Sequence, residues 1–433
     1  MKYYSLNNPN HQVDFRAATI KGQADDKGLY FPSTIPLLNN NFFERLPKMS
    51  DAEMGLEVIS PYVGDCIPEA DLQQIVAETL HFPVPLVPLT ERMFSLEMFH
   101  GNTLAFKDIG ARFMSRCLGY FVKGHSEKIT VLVATSGDTG GAVADGFYGV
   151  DGVEVVILYP SGKVSNVQEK QLTTLGKNIN AIEVLGNFDD CQRLVKTAFA
   201  DETLRNNMFL TSANSINVAR WLPQQFFYFL ACKQWADSGN PPVICVPSGN
   251  FGNICAGLLA WKSGLPVRHF IAACNANDVV PQFMQTKQYQ PRKAVATISN
   301  AMDVGDPSNF IRILRLFDQQ HSELEKIFSS VSVSEDETRA AIKQVYDEIG
   351  YLLDPHGAVG YVALKQYLQD HPEHKGLFAE TAHPVKFYDA VEPVTGNTIP
   401  LPAAIEAIIH KPKKAECIEP KYEALRDLLK GMA

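Results

Sequence analysis

From residue 129 to residue 274 the chain repeats one pattern: a short apolar run, a polar loop, then a helix-like stretch. The runs 129–134, 153–159, 180–185, 243–246 and 267–274 read as buried strands. The stretches 142–148, 188–205, 216–235 and 254–261 read as helices, the third bent or interrupted at Pro223, which cannot continue the hydrogen-bond ladder. Alternating buried strands and helices dictate an α/β architecture with mostly parallel sheets. In such sheets ligands sit beyond the carboxyl ends of the strands. The pattern therefore says where chemistry has to be sought: in the loops that leave strands.

Those loops are unusually polar. Thr135-Ser136-Gly137-Asp138-Thr139-Gly140-Gly141 follows the strand 129–134, and Ser248-Gly249-Asn250-Phe251-Gly252-Asn253 follows 243–246. Glycine permits close backbone approach, and a helix start offers unpaired N–H groups and the positive end of its dipole. The second loop is thus a phosphate cup or a plain β–α turn. It is neither a Walker A loop nor a Gly-x-Gly-x-x-Gly dinucleotide loop. The first can donate several hydrogen bonds to a carboxylate or phosphate, or simply cap a helix through Ser136 or Asp138. Two further loops carry cations: Tyr159 to Ser165 with Lys163, and Asn214 to Arg220. There Asn214, Ser215 and Arg220 can converge on an anion, the arginine supplying a planar fork. A fifth, Phe378 to Pro384, carries Thr381 at the end of an apolar strand. All five are placed by sequence at one edge of a sheet.

Lys107 stands apart. It follows Leu104-Ala105-Phe106 and precedes an amphipathic stretch, 109–122. An amine in apolar surroundings loses solvation, which disfavours its charged form. An ordinary lysine, with a pKa of about 10.4, is neutral in roughly one molecule in two thousand at pH 7. A depressed one attacks carbonyls and forms Schiff bases. Taken alone, Lys107 reads first as a lysine snorkelling from a helix start. Two phosphate-competent loops beside it point to pyridoxal phosphate and a phosphorylated amino acid.

Composition narrows the class. The 433 residues suffice for two or three domains. No stretch reads as a signal peptide or a membrane span, so a cytoplasmic location is expected, with no membrane partner. The eight cysteines are scattered without a Cys-x-x-Cys pair, which predicts reduced buried thiols and no metal. A net charge of −9 argues against nucleic acid and means that an anionic substrate needs a local cationic pocket. Residues 1–92 are the least regular part and end in the proline-rich run 82–89, an extended linker or boundary.

On the segments His-Gly-Asn-Thr-Leu-Ala-Phe-Lys-Asp (100–108), Ala-Thr-Ser-Gly-Asp-Thr-Gly (134–140), Val-Pro-Ser-Gly-Asn-Phe-Gly-Asn (246–253) and Thr-Ala-His-Pro-Val-Lys-Phe (381–387), the chain resembles the threonine synthase family, in its longer form with an extra N-terminal domain. The resemblance runs nearly end to end, and Gly28 to Pro32 fits it too. It implies a tryptophan-synthase-β-like fold, two α/β domains with mostly parallel sheets flanking a cofactor cleft, plus an N-terminal accessory domain. The divisions implied are 1–92 (accessory), 93–125 with 215–433 (large, cofactor-binding) and 126–214 (small, substrate-binding). It implies pyridoxal 5′-phosphate as cofactor, Lys107 as Schiff-base lysine and acid–base group, and Gly249, Asn250, Phe251, Gly252 and Asn253 as the phosphate cup. Thr381 would face the pyridine nitrogen and Asp138 the ring hydroxyl. Ser136, Gly137 and Thr139 would hold the substrate carboxylate, and Asn214, Ser215, Arg220 and, less securely, Lys163 its phosphate. The implied reaction turns O-phospho-L-homoserine and water into L-threonine and phosphate, in a monomer or homodimer. The alternative is a same-fold lyase, such as a threonine/serine dehydratase or a phospho-amino-acid phospholyase.

Overall fold

The computed structural model describes residues 1–124, 128–237 and 239–432. Two mostly parallel sheets form its centre. The larger runs, edge to edge, Phe328–Ser332, His269–Cys274, Val243–Pro247, Gly376–Glu380, Met93–Glu97 and Leu86–Pro88, with only the last strand antiparallel. The smaller runs Glu416–Ile418, Ile179–Val184, Val153–Pro160, Ile129–Ala134 and Phe209–Thr211, all parallel. The sequence pattern located five of these strands to within a residue or two, because a strand buried on both faces has to be apolar throughout.

Helix Lys107–Val122 joins the two halves. It packs on Asp138–Phe147, on Val218–Trp221 and on Glu69–Thr79. Ile109, Ala111, Phe113, Met114, Cys117 and Leu118 along it have no exposed surface. Each large apolar side chain so buried contributes roughly 1.5–3 kcal/mol. Two glycines permit the close approaches: a Cβ on Gly110 would lie 2.6 Å from the Arg220 carbonyl, and one on Gly146 would lie 3.0 Å from the Ala111 carbonyl carbon. The helix that begins at Lys107 is thereby fixed against the segment carrying Arg220.

Residues 1–92 are more regular than their composition suggests. A three-stranded antiparallel sheet (Gln12–Asp14, Lys2–Ser5, Tyr30–Pro32) is followed by helices including Asp51–Val63 and Glu69–Thr79. The fully buried Arg312 ties this region to the centre, donating to the Tyr30 carbonyl at 3.0 Å and to the Ile216 carbonyl at 2.6 Å. The run 82–89 is extended as expected, but Leu86–Pro88 forms the edge strand of the large sheet, where the missing N–H of Pro88 costs no ladder bond.

Two expectations about the elements need correction. The helix 188–205 is two helices, Phe188–Ala200 and Glu202–Asn207, because the Asp201 side chain caps the second by accepting from Thr203 and Leu204 N–H. The division 215–433 also fails at its end: Glu416–Ile418 pairs with Ile179–Val184 in the smaller sheet, and Tyr422–Met432 packs on Phe188–Ala200. Burial explains this, since Leu425 and Leu429 are fully covered there and join a cluster with Leu194 and Val195. The boundary expected between 125 and 126 lies outside the described residues.

Candidate active site

The five polar loops do not share one sheet edge. Those after Ile129–Ala134 and Val153–Pro160 leave the smaller sheet, those after Val243–Pro247 and Gly376–Glu380 the larger, and the 214–220 segment follows Phe209–Thr211. Side chains from both sheets meet around Lys107.

The backbone before Lys107 is held by the end of another strand. Ala105 bridges Ala382, Phe106 N–H donates to the Thr381 carbonyl at 2.9 Å, and His383 N–H donates to the Leu104 carbonyl at 3.0 Å. Leu104 takes a left-handed backbone conformation (φ 58°), which costs an L-residue about 1–2 kcal/mol. Thr103 is locked to Asp108, its N–H donating to a carboxylate oxygen at 2.8 Å and its hydroxyl to the other. Lys107 thus opens its helix with its ammonium 3.3 Å from Asp138 Oδ2 and only 17% of its side chain exposed. Burial lowers its pKa and Asp138 opposes that, while Lys386 and Arg220 reinforce it.

Asp138 is 4% exposed and lies between two ammonium groups, with Lys386 Nζ 2.9 Å from Oδ1 and Gln168 Nε2 donating to the same oxygen at 3.0 Å. Burial alone would raise its carboxyl, but Lys386 and Lys107 hold it far below the ordinary carboxylate range. Its loop is not capped by Ser136 or Asp138. Thr135 does that work: its hydroxyl oxygen accepts from Gly137 N–H at 3.0 Å and Gly140 N–H at 2.8 Å. Ser136 and Thr139, both half-buried, keep hydroxyls with no protein partner among the described residues. Gly137 is required as glycine, since its φ is 139° and a Cβ would lie 2.6 Å from the Gln168 amide nitrogen.

The 249–253 loop is a cradle. A Cβ on Gly249 would come within 2.6 Å of Met302 Cα, and Phe251 sits at φ 60° to start the helix Gly252–Lys262. Asn250 ties it down on two sides, donating to Ser215 Oγ at 2.6 Å and accepting from Ser308 N–H at 2.7 Å. The first N–H groups of that helix have no partner within it. The Asn253 side chain turns inward instead, accepting from the Tyr228 hydroxyl and donating to Met98 Sδ at 3.7 Å. Only its backbone remains for a ligand, so the expectation for Asn253 narrows to the main chain. A group bearing a terminal phosphate fits this loop through the unpartnered N–H groups at the helix start, while the glycine lets the loop close onto the Met302 backbone.

A second anion pocket is indicated by contrast between two buried arginines. Arg312, with no exposed surface, has four protein acceptors: Asn309 Oδ1 and the carbonyls of Ser215, Tyr30 and Ile216. Arg220, 3% exposed, donates among the described residues only to the Ala213 carbonyl at 2.5 Å; both arginines have a buried Nε without a partner and neither ion-pairs with a carboxylate there, so the difference lies in the number of acceptors. Burial pulls the pKa of Arg220 down to about 10, so it stays cationic at neutral pH. Asp108 offsets part of the cost of burial from nearby without bonding it, and a buried guanidinium with a single acceptor still gains when an anion arrives. Asn214 beside it keeps a buried side-chain carbonyl oxygen without a partner, an acceptor, so only its amide N–H groups could serve an anion. Ser215 is already occupied by Asn250 and by Asn309 Nδ2 at 3.2 Å, and bonds the cup rather than standing free. Lys163 is exposed and, among the described residues, bonds none of the other candidates, so the structure does not gather it into this cluster.

Thr381 is 7% exposed with its hydroxyl unpartnered among the described residues. Sequence reasoning missed the roles of Lys386 and Gln168. Lys386 lay inside the 381–387 segment among apolar neighbours, the same signal that singled out Lys107. Gln168 was readable as the end of a Ser165-x-x-Gln168 capping box, which the structure contains, but its reach to Asp138 was not. Among the described residues, no group of three His, Cys, Asp or Glu side chains is arranged to hold a metal, and no helix is long and apolar enough to cross a membrane.

Comparison with known proteins identifies the family. The model for pyridoxal-phosphate-dependent enzymes matches residues 79–377, that for the threonine synthase N terminus residues 2–80, and that for the threonine synthase C-terminal region residues 357–429. Threonine synthase of Serratia marcescens is 43% identical over the whole of both chains, and that of Escherichia coli 42% identical over 99% of each. A crystal structure of Escherichia coli threonine synthase superposes with a TM-score of 0.93 at 41% identity, covering all of both chains. One of threonine synthase from Brucella melitensis with bound PLP gives 0.93 at 34% identity, over 100% of this chain and 99% of that one. A threonine deaminase from Solanum lycopersicum, at 17% identity and a TM-score of 0.56, shares the fold alone. The chain belongs to the threonine synthase family of pyridoxal-phosphate-dependent enzymes.

Proposed function

We propose that the protein converts O-phospho-L-homoserine and water into L-threonine and phosphate, using pyridoxal 5′-phosphate. The observation that carries this reading is a desolvated Lys107 within reach of a buried Arg220 that has a single protein acceptor, in addition to the 249–253 cup. A same-fold dehydratase has no use for a second anion pocket. Lys107, the 249–253 backbone, Asp138 and Thr381 would hold the cofactor. When bound, it supplies the electron sink for carbanions next to the substrate nitrogen. Ser136 and Thr139 offer free hydroxyls to the substrate carboxylate, and Arg220, with the amide N–H groups of Asn214, takes its phosphate.

The chain's own acid–base work falls to Lys107. Its amine, held at Asp138 and depressed by burial, takes a proton from Cα and then one from Cβ so that phosphate can leave Cγ, and returns protons at Cγ and at Cα as water adds at Cβ. A group with −1.5 to −2 charges is selected by Arg220 rather than by helix ends, which contribute about 0.3–1 kcal/mol each when exposed. The reading includes a cytoplasmic enzyme, as a monomer or homodimer.

Incubation of the cofactor-loaded protein with O-phosphohomoserine should release threonine and phosphate in equal amounts, and Lys107→Ala should abolish both. Phosphate without threonine, or a keto acid in its place, refutes the synthase reading.

A further inference from the structure

Lys386 is a lysine with no exposed surface, on the short turn Pro384–Phe387. Burying an ammonium is expensive unless it is paired and its protons are used. Lys386 Nζ lies 2.9 Å from Asp138 Oδ1 and donates to the Thr103 carbonyl at 2.7 Å. Lys107 addresses the other oxygen of the same carboxylate at 3.3 Å. The three charges thus form a row: lysine, aspartate, lysine.

The row crosses the boundary between the two sheets. Asp138 opens a helix of the smaller sheet, whereas Lys386 follows the strand Gly376–Glu380 of the larger. Two neighbours reinforce the crossing. Ser165 Oγ donates to the Lys386 carbonyl at 2.9 Å, and Gln171 Nε2 donates to the Thr103 carbonyl at 3.0 Å. Thr103 in turn bonds Asp108, the residue after Lys107. Lys386 therefore touches both the partner of Lys107 and the backbone that places Lys107.

We propose that Lys386 is a positioning residue that holds Asp138 ionised and aimed at Lys107 whether or not Lys107 carries its proton. A lysine that gives and takes protons loses its charge during part of the cycle, and a carboxylate paired only with it would then be buried and unmatched. The second ammonium on the far oxygen removes that penalty. It also weakens Lys107's hold on its proton, since like charges repel. The charged groups acting on Lys107 are Asp138, Lys386 and Arg220, and His356 acts in addition on Asp138. The inference uses the proposed function only in taking Lys107 as the reacting amine.

The test reads that amine directly. In the full-length protein stripped of cofactor, trace acetylation with acetic anhydride is followed by mass spectrometry from pH 6 to 11, with the exposed Lys163 as internal reference. Lys386→Met removes the charge, Lys386→Gln removes it but keeps donors for Asp138 and Thr103, and Lys386→Arg keeps it. The uncharged variants should raise the Lys107 midpoint by about one unit, a roughly tenfold gain in proton affinity, and Lys386→Arg should restore it to within about twofold. If Lys386→Met does not fold, Lys386→Gln carries the comparison. An unchanged or lowered midpoint in a folded uncharged variant, or no rescue by arginine, overturns the proposal. Failure of the threonine assay with this shift intact would refute the proposed function and leave the role of Lys386 standing.

Discussion

Adding one methyl group at Gly249 should cost the protein its grip on the cofactor phosphate. The Cβ of alanine there would sit 2.6 Å from Met302 Cα and 3.0 Å from the Ala301 carbonyl, both backbone atoms. No rotamer change relieves such a contact, so either the 249–253 loop or the turn Asn300–Met302 has to move. That turn is itself pinned, its Ala301 N–H donating to the buried His356 Nε2 at 3.2 Å. Overpacking of a rigid site costs about 1–3 kcal/mol. If the strain is borne by the cradle, pyridoxal phosphate binding weakens by roughly 5- to 150-fold. Gly252→Ala is the internal control. Its nearest non-neighbour is the side-chain amide of Asn309 at 3.3 Å, which can give way, and an alanine suits the first helical position better than glycine. The assay is equilibrium titration of the cofactor-free variants with pyridoxal phosphate, read by absorbance, with circular dichroism to establish folding. A folded Gly249→Ala that binds within about twofold of the unaltered protein, or a Gly252→Ala that loses as much, would refute the cradle.

Two further outcomes follow from the charges. Arg220→Lys should raise KM for O-phosphohomoserine by roughly 10- to 150-fold, the worth of a lost charge-assisted hydrogen bond of about 1.5–3 kcal/mol, while cofactor absorbance stays as it was; an unchanged KM removes Arg220 from the phosphate pocket. Asp108 is 2% exposed, and burial pushes its carboxyl from 3.8 up to about 6. The folded state therefore keeps a proton that the unfolded chain releases, and stability falls as pH rises from about 4 to about 6. Asp108→Asn is free of that term, so urea unfolding should show it gaining on the unaltered protein by about 1 kcal/mol at pH 4.5 and about 3 kcal/mol at pH 7.5. A gain independent of pH would mean that Asp108 is ionised as easily folded as unfolded.

The parts of this molecule that sequence revealed are those in which one residue's environment is set by its neighbours in the chain. Strands such as Ile129–Ala134 and Val243–Pro247 are legible because burial on both faces demands unbroken apolar runs. Lys107 and Gly249 are legible because a desolvated amine and a side-chain-free turn are local facts. The cap of the 135–141 loop was misread, since Thr135, Ser136 and Asp138 are all competent caps and only the path of the backbone chooses Thr135. The return of Glu416–Ile418 to the smaller sheet depends on which edge is left open, a property of the assembled fold. Arg220 and Arg312 look alike in sequence, and only the count of their acceptors separates a ligand-seeking guanidinium from a structural one.

The lysine–aspartate–lysine row bears on why the two sheets meet where they do. At 2.9 and 3.3 Å and an effective dielectric of about 20, each contact is worth roughly 5 kcal/mol gross. Taking three ions out of water costs several kcal/mol apiece. The two ammonium groups also repel each other, so the row adds little or nothing to stability. Its value lies in geometry. Shifting the smaller sheet against the larger would separate Asp138 from both amines while leaving all three charges in a largely dry cleft, so the desolvation cost would remain without the attraction. Small displacements are therefore steeply penalised even though the pairing itself is nearly neutral. Asp138 marks the register of the two sheets, and Lys386 and Lys107 read it from opposite sides.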